Sequence, residues 1–434
     1  MSLSTQPYKG ARDFYPEDKR LQKYMFAKIR QTVESYGYEE YDAPILEPLE
    51  LYTAKSGEEI VNEQTYTFTD RGGREVVIRP EMTPTVSRMV AGRRQELGYP
   101  LRWYSIPNLW RYERPQRGRL REHWQLNVDM FGVAGSAAEL EIILLVDDIY
   151  KKFGATSDMY TIQLNSRALM NKILSGHLDL NNEQHHSVSK LIDRMHKLPP
   201  EDFKEQLSNL VSQDQRDAGL VGRLTSLLNV KSIEELPDEL KSGTEYDELA
   251  DLITELKASG LANVVYDATL MRGFDYYTGI VFEVSDNHPD NNRSMMGGGR
   301  YDGLVGLFGV EPVPTIGFGL GDATLANFLD LHELMPNVKT ETEIYLALAG
   351  EIKTTDVQAL ARRLREAGCN TAIDISGRKL GDQLRTATKK GFTKCLVVGQ
   401  DELTNGKYSL KNLLTGESEI YSEAQLIDRF KSGD

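Results

Sequence analysis

Cysteine is nearly absent from this sequence, with only Cys369 and Cys395 among 434 residues. Neither falls in a metal-ligand or disulfide spacing, which excludes a disulfide scaffold and fits a reducing cytoplasm. No apolar run approaches the roughly 18 residues of a membrane span, so no membrane partner is expected. The opening residues MSLSTQPYKG lack the apolar segment of a signal peptide, which makes a cytoplasmic location the expectation. There is no GxxxxGK[ST] loop, no GxSxG elbow and no metal-ligand spacing among the seven histidines. Positive charge is also short: the formal net charge is -14. A chain this acidic lacks the broad basic footprint of a nucleic-acid binder, so any polyanion must meet a local patch.

One such patch is present. WRYERPQRGRLREHWQ, Trp110 to Gln125, holds five arginines. Its flanks, LRWYSIPNLWRYE and EHWQLNVDMFGV, are rich in aromatic and β-branched residues and read as strands. The arginines therefore sit at the mouth and tip of a long hairpin. Arg111, read as a strand residue, suits a fixed bidentate contact to phosphate, with Glu113 on the same sheet face. A solvated arginine-rich tip is the competing reading. Arg114, Arg117, Arg119 and Arg121 are expected to face solvent or to track phosphates without base specificity.

The length calls for two or three domains. KGARDFYPED reads as a turn into a helix over about 19–36, with Pro16 near its start. YEEYDAPILEP reads as an extended strand interrupted by Pro44. TYTFTDRGGREVVIRPEM reads as a hairpin turning at Gly72-Gly73. Helices are expected over 83–97 and 137–152. From about 165 to 259 charged, helix-forming sequence dominates and reads as an insertion. A β pattern returns in VVYDATLMRGFDYYTGIVFEVS, followed by MMGGGRYDGL, read as a loop, and TIGFGLGDATLANFLD, read as a strand entering a helix. Beyond about 341 short apolar strands alternate with helices. The expected fold class is α+β: an antiparallel-sheet core with flanking helices over 1–330, carrying the helical insertion, and a C-terminal α/β domain over 341–434.

Several polar residues have two readings. Glu81 and Thr83 in RPEMT fit a surface carboxylate beside a helix cap better than a binding pair. Gln125 and Asp129, with Asn127 between, mark either a wet sheet face or a concave binding surface. Arg272, in an apolar stretch, needs an anion, which is either Asp275 or a ligand. The glycines of MMGGGRYDGL, followed by Tyr301, allow backbone to approach a ligand, though a plain loop is an equal reading.

Taken in order, these segments resemble the class II aminoacyl-tRNA synthetases, and specifically the histidyl-tRNA synthetase family, over nearly the whole chain. KGARDFYP is similar to the family's N-terminal signature and YEEYDAPILEP to the dimer-forming motif 1. IRPEMT resembles the segment that binds the amino acid's α-amino group, which implies Glu81 and Thr83. The arginine-rich hairpin resembles motif 2. By that match Arg111 holds the α-phosphate of ATP, Glu113 sits near adenine, Arg119 lies toward the phosphates, and Arg114 and Gln116 approach the tRNA acceptor end. LMRGFDYY resembles the histidine-specific signature: Arg272 would bridge the histidine carboxylate and α-phosphate as a catalytic residue with Arg111. Tyr277 and Tyr301 would line the imidazole pocket, Gln125 would contact the α-amino group, and Asp129 would accept from an imidazole nitrogen. The C-terminal domain is similar to an anticodon-binding domain.

The resemblance implies ATP as substrate, Mg²⁺ on its phosphates, L-histidine and tRNA(His) as partners, and a homodimer. The chain departs from the family's pattern in three places. Asp129 stands where glutamate is common, and His123 stands where an adenine-stacking phenylalanine is common. In motif 3, Ala323 and Thr324 replace an acid and an arginine, with Asp322 able to stand in for the acid. Two rival readings share the fold: the histidine-sensing regulatory subunit of ATP phosphoribosyltransferase, and a tRNA-binding relative that does not charge.

Overall fold

The computed structural model describes residues 3–53, 64–116, 118–271, 276–291 and 293–431. The chain divides into one unit of Met1–Asp13 with Met25–Met335 and another of Phe14–Tyr24 with Pro336–Asp434.

In the first unit the strands are β1 (Glu39–Glu40), β2 (Leu46–Pro48), β3 (Tyr66–Thr69), β4 (Glu75–Ile78), β5 (Leu101–Ser105), β6 (Asn108–Trp110), β7 (Glu122–Phe131), β8 (Tyr160–Ser166), β9 (Val264–Tyr266), β10 (Ile280–Asp286), β11 (Ser294–Arg300) and β12 (Thr315–Gly321). Among the described residues the main sheet runs β1-β5-β7-β12-β11-β10-β8-β9, with β6 against β7. Its pairs are antiparallel except β1 with β5 and β8 with β9. The helix Ser136–Lys152 buries Ala138, Ile142, Val146 and Ile149 along one stripe. Each of the two isoleucines and the valine contributes about 1.5–3 kcal/mol when buried. Its buried Glu139 takes both Nε and Nη2 of Arg300, at 2.5 and 2.7 Å, tying the end of β11 to the helix.

Two expectations change here. MMGGGR is not a loop: Ser294–Arg300 is a strand bonded on both sides. Glycine supplies no side-chain period, so an extended run of it leaves no strand signal. YEEYDAPILEP forms two short pieces, β1 and β2, instead of one strand. The hairpin of β3 and β4 turns over 70–74, where Asp70 Oδ1 accepts from the backbone N–H of Gly72 and Arg74. Asn165 and Ser166 close β8, and the insertion's helices follow from Arg167 to Ala258 around Leu191, Phe203, Leu207, Leu220 and Leu224.

The second unit carries β13 (Ile344–Leu348), β14 (Thr371–Ile373), β15 (Lys394–Val398), β16 (Lys407–Asn412) and β17 (Ser418–Ser422) in the order β14-β13-β15-β16-β17. The first three are parallel and the last two antiparallel. The helix Thr354–Glu366 buries Val357, Leu360, Ala361 and Leu364, the spacing of a single helical face. Cys369 and Cys395 are free and buried here.

Candidate active site

A cleft of about 1080 Å³ opens over β7, β10, β11 and β12 in the first unit. Its floor is shaped by missing side chains. A Cβ on Gly317 would stand 2.2 Å from Asp129 Oδ1, and one on Gly319 would stand 2.9 Å from the Gln125 amide. On β11, a Cβ at Gly299 would meet the Tyr277 ring at 2.9 Å. Side chains from neighbouring segments thus lie flat across bare backbone, which only glycine permits.

Glu81, Thr83, Arg111, Glu113, Gln116, Arg119, His123, Gln125, Tyr277 and Tyr301 all line this cleft. Glu81 is not a surface carboxylate: it is 3% exposed, and the Tyr276 hydroxyl donates to its Oε2 at 3.2 Å. Tyr276, and Tyr52 through the Glu81 backbone oxygen, bury what the local sequence left open. Thr83 starts its helix, whose cap, Met82, offers no side-chain bond.

Arg111 lies just past β6 rather than in it, although its N–H still reaches Arg121 O at 2.8 Å. The Glu113 N–H folds back onto Arg111 O at 2.8 Å, so strand alternation does not relate the two. They share the cleft because the chain turns. Arg111 Nε donates to Pro80 O at 2.8 Å, which fixes the guanidinium by one edge. Arg119 pairs with Glu113 at 3.2 Å. Arg114 is exposed and lies off the cleft wall. Arg121 does not track solvent: its guanidinium lies 3.9 Å from the Tyr112 ring centre and donates to Glu113 O at 3.1 Å. Arg117 and Arg272, with Asp275, lie outside the described residues.

Asp129 sits beneath the floor, 3% exposed, and accepts a hydrogen bond from the Tyr301 hydroxyl. Burial pushes its carboxyl up to about 7, partly offset by that bond. Asn127, 5% exposed, and Gln125 line the cleft, so of the two readings of this face the concave surface is the one seen. His123 goes the other way: burial, then the charges of Arg111, Arg12 and Arg119, push its imidazole down to about 3. It is neutral near pH 7. Thr324 donates to Met295 O at 3.0 Å and Gly321 O at 2.9 Å, so its hydroxyl caps backbone. Asp322 takes Arg12 at 2.8 Å and the Trp124 N–H at 3.1 Å.

Sequence reasoning missed Tyr276, whose ring packs tilted against Tyr277 at 5.0 Å and edge-on to Tyr301 at 5.6 Å, and whose hydroxyl holds Glu81. The tyrosine doublet was its signal. Arg293, whose Nη2 donates to Gln116 at 3.0 Å across the cleft mouth, was also missed. So was the His196–Thr269–Asp267 chain, with links of 2.7 and 2.6 Å. Neither carries a spacing signal, because each joins distant segments.

The profile of a family described as Histidyl-tRNA synthetase matches residues 10–325, and one described as Anticodon binding domain matches 343–433. A histidine--tRNA ligase of Leptospira biflexa is 44% identical, over 99% of this chain and 98% of that protein. The crystal structure of histidyl-tRNA synthetase from Nostoc sp. PCC 7120 superposes with a TM-score of 0.81 at 22% identity, covering 100% of both chains. A Bacillus halodurans structure titled as an ATP phosphoribosyltransferase regulatory subunit/histidyl-tRNA synthetase gives 0.73 at 24% identity, covering 92% of this chain and 99% of that one. At those identities the two structures speak for the fold alone.

Proposed function

The chain belongs to the histidyl-tRNA synthetase family, and from that premise we infer how its cleft divides the work of an aminoacyl-tRNA ligase. The reaction has two steps. A carboxylate oxygen of histidine attacks the α-phosphorus of ATP, and pyrophosphate leaves. The terminal ribose hydroxyl of tRNA(His) then attacks the histidyl carbonyl carbon, and AMP leaves. Neither step needs a protein nucleophile; both need alignment and cations where charge grows.

Arg111 carries the reading. Pro80 O holds its Nε, and its terminal nitrogens make no other hydrogen bond among the described residues, so they can take a phosphate edge-on. Arg119 adds a second cation and Glu113 faces the nucleotide, while neutral His123 stacks on adenine. Buried Glu81, with Thr83 and Gln125, takes the ammonium of histidine. Tyr277, Tyr301 and Asp129 take the imidazole, and Arg272 bridges carboxylate and phosphate. Arg114 and Gln116 meet the tRNA acceptor end.

Mg²⁺ arrives with ATP as part of the substrate. Glu113 and Glu283 are carboxylates on the cleft wall, and one or two carboxylates beside phosphate oxygens are an ordinary Mg²⁺ set. Residues 1–330 form the catalytic part and 341–434 the anticodon-binding part. The assembly is a homodimer through YEEYDAPILEP, working in the cytoplasm. No helix among the described residues is long and apolar enough to cross a membrane.

The test is histidine-dependent ATP–pyrophosphate exchange without tRNA, followed by charging of tRNA(His). Robust exchange with charging is expected. Histidine binding without exchange would shift the assignment to the histidine-sensing relatives.

A further inference from the structure

Behind the imidazole end of the cleft lies a polar cluster in which Asp129 meets Tyr41, from YEEYDAPILEP, and Ser105, two side chains with no role assigned above. Tyr41 follows β1, and its backbone N–H donates to Tyr104 O at 2.8 Å. The parallel register of β1 on β5, Glu40 opposite Tyr104, carries Tyr41 alongside Ser105. On the other side of β5, Trp103 faces Asp129 and Ser105 faces Asn127. Strand alternation then puts Ser105, Asn127 and Asp129 on one face of the sheet. The Tyr41 ring packs 5.7 Å from Trp103, which directs its far end along that face.

Three polar atoms in this cluster are shut off from solvent and make no well-formed hydrogen bond among the described residues: Tyr41 OH, Ser105 Oγ and Asp129 Oδ2. They are close enough to sense one another. Burial, and next the Asp129 charge, raise the Tyr41 hydroxyl well above its ordinary value, and the Ser105 hydroxyl, within hydrogen-bonding reach of the Tyr41 oxygen, acts against the rise. Three orphaned atoms in one buried spot are costly, at about 1–3 kcal/mol each. One buried water typically makes two to four hydrogen bonds to such groups. Here every donor finds an acceptor once Asp129 is ionised: the Ser105 hydroxyl donates to the Tyr41 oxygen, the Tyr41 hydroxyl donates to the water, and the water donates to Asp129 Oδ2 and to Ser105 Oγ. Asp129 Oδ1 is already committed to Tyr301.

We propose that Tyr41 and Ser105 are positioning residues for the histidine side chain: through one bound water they fix Asp129, and through Asp129 the Tyr301 hydroxyl, against the imidazole. The inference rests on the reading of Asp129 and Tyr301 given above. It also accounts for the shorter acid. Aspartate sets the carboxylate one methylene further from the cleft than glutamate would, and water with two hydroxyls braces it from behind. Tyr41, Ser105 and Asp129 all lie behind the cleft lining, and Tyr301, which is part of it, carries the brace to the histidine side chain.

The experiment uses the full chain with Tyr41→Phe, Ser105→Ala, the double variant and Asp129→Ala, reading histidine and ATP KM in pyrophosphate exchange beside the melting temperature. Tyr41→Phe and Ser105→Ala should each raise the histidine KM about three- to tenfold with the ATP KM unmoved. The double variant should be no worse than the stronger single, because both act through one water. Both KM values rising together, neither moving, or a double effect equal to the product of the singles would overturn the proposal. If Tyr41→Phe melts early, Ser105→Ala, which removes one oxygen, decides alone. Asp129→Ala separates the two levels. Without an effect on histidine KM the pocket reading itself fails; with a large effect there and none in the hydroxyl variants, only the brace fails.

Discussion

His123 and Asp129 stand six residues apart on one strand face and are pushed in opposite directions by the same burial. Histidine in the unfolded chain takes up a proton near its ordinary 6.5, while folded His123 refuses it down to about 3. Its contribution is therefore lost as pH falls below 6.5. Asp129 holds a proton up to about 7 that the unfolded chain releases near 3.8, so its contribution is lost as pH rises across that span. Between pH 5 and 6.5 the two slopes oppose, each up to about 1.4 kcal/mol per pH unit. We predict that His123→Phe makes stability fall more steeply with rising pH than in the parent, and that Asp129→Asn tilts it the other way. Urea denaturation at pH 5 and pH 6.5 measures both; parallel slopes in all three proteins would contradict the burial argument.

At the scale of elements, the two glycine-rich strands are the parts most exposed to substitution. Gly317→Ala would press a methyl to 2.2 Å from Asp129 Oδ1 and 2.6 Å from Val128 O. Backbone cannot move aside as a flexible side chain can, so the expected loss is about 2 kcal/mol or more, with the histidine KM raised. Gly92, inside the helix Thr83–Arg93, meets nothing within 4 Å. Gly92→Ala should instead stabilise by about 0.5–1 kcal/mol through helix propensity. Equal denaturation midpoints for the two variants would refute the close-packing account. These same strands show what a sequence can and cannot tell. β12 was legible because Ile316, Phe318 and Leu320 alternate with glycines. β11 was not, since three successive glycines erase the period. Alternation put Gln125 and Asp129 on one strand face but left wet surface and binding surface both open, and only the family resemblance gave them a role; the burial of Glu81 depends on Tyr276 from 195 residues away. No local pattern carries a contact of that span. Arg111 and Glu113 were found for a reason that does not hold, strand alternation, and share the cleft because the loop turns.

For the whole molecule, the sign of the charge sets how RNA and small substrates respond to salt. A chain of net charge -14 repels a polyanion except at its basic hairpin. Arg114 at the tip is exposed, whereas Arg111 is edge-bonded to Pro80 O inside the cleft. Contacts at an open tip are screened over about 8–10 Å at physiological salt, while those in the cleft are screened less. Raising salt from about 50 to 300 mM should therefore raise the KM for tRNA several-fold or more and leave histidine-dependent pyrophosphate exchange nearly unchanged. A matched decline in both assays would mean that the arginines do not divide between loop and cleft. The C-terminal unit was readable at this scale, because strand and helix periods alternate there with few long-range exceptions.

The bare strands beneath the cleft have one more consequence. A surface built from main chain has no side chains to edit. Whatever molecule such a scaffold is asked to recognise, by selection or by a designer, the change must be written into the residues that lie across it: Gln125, Asp129, Tyr277 and Tyr301. Gly299, Gly317 and Gly319 would stay as they are under every new specificity, since what they provide is clearance for whichever side chain is placed above them.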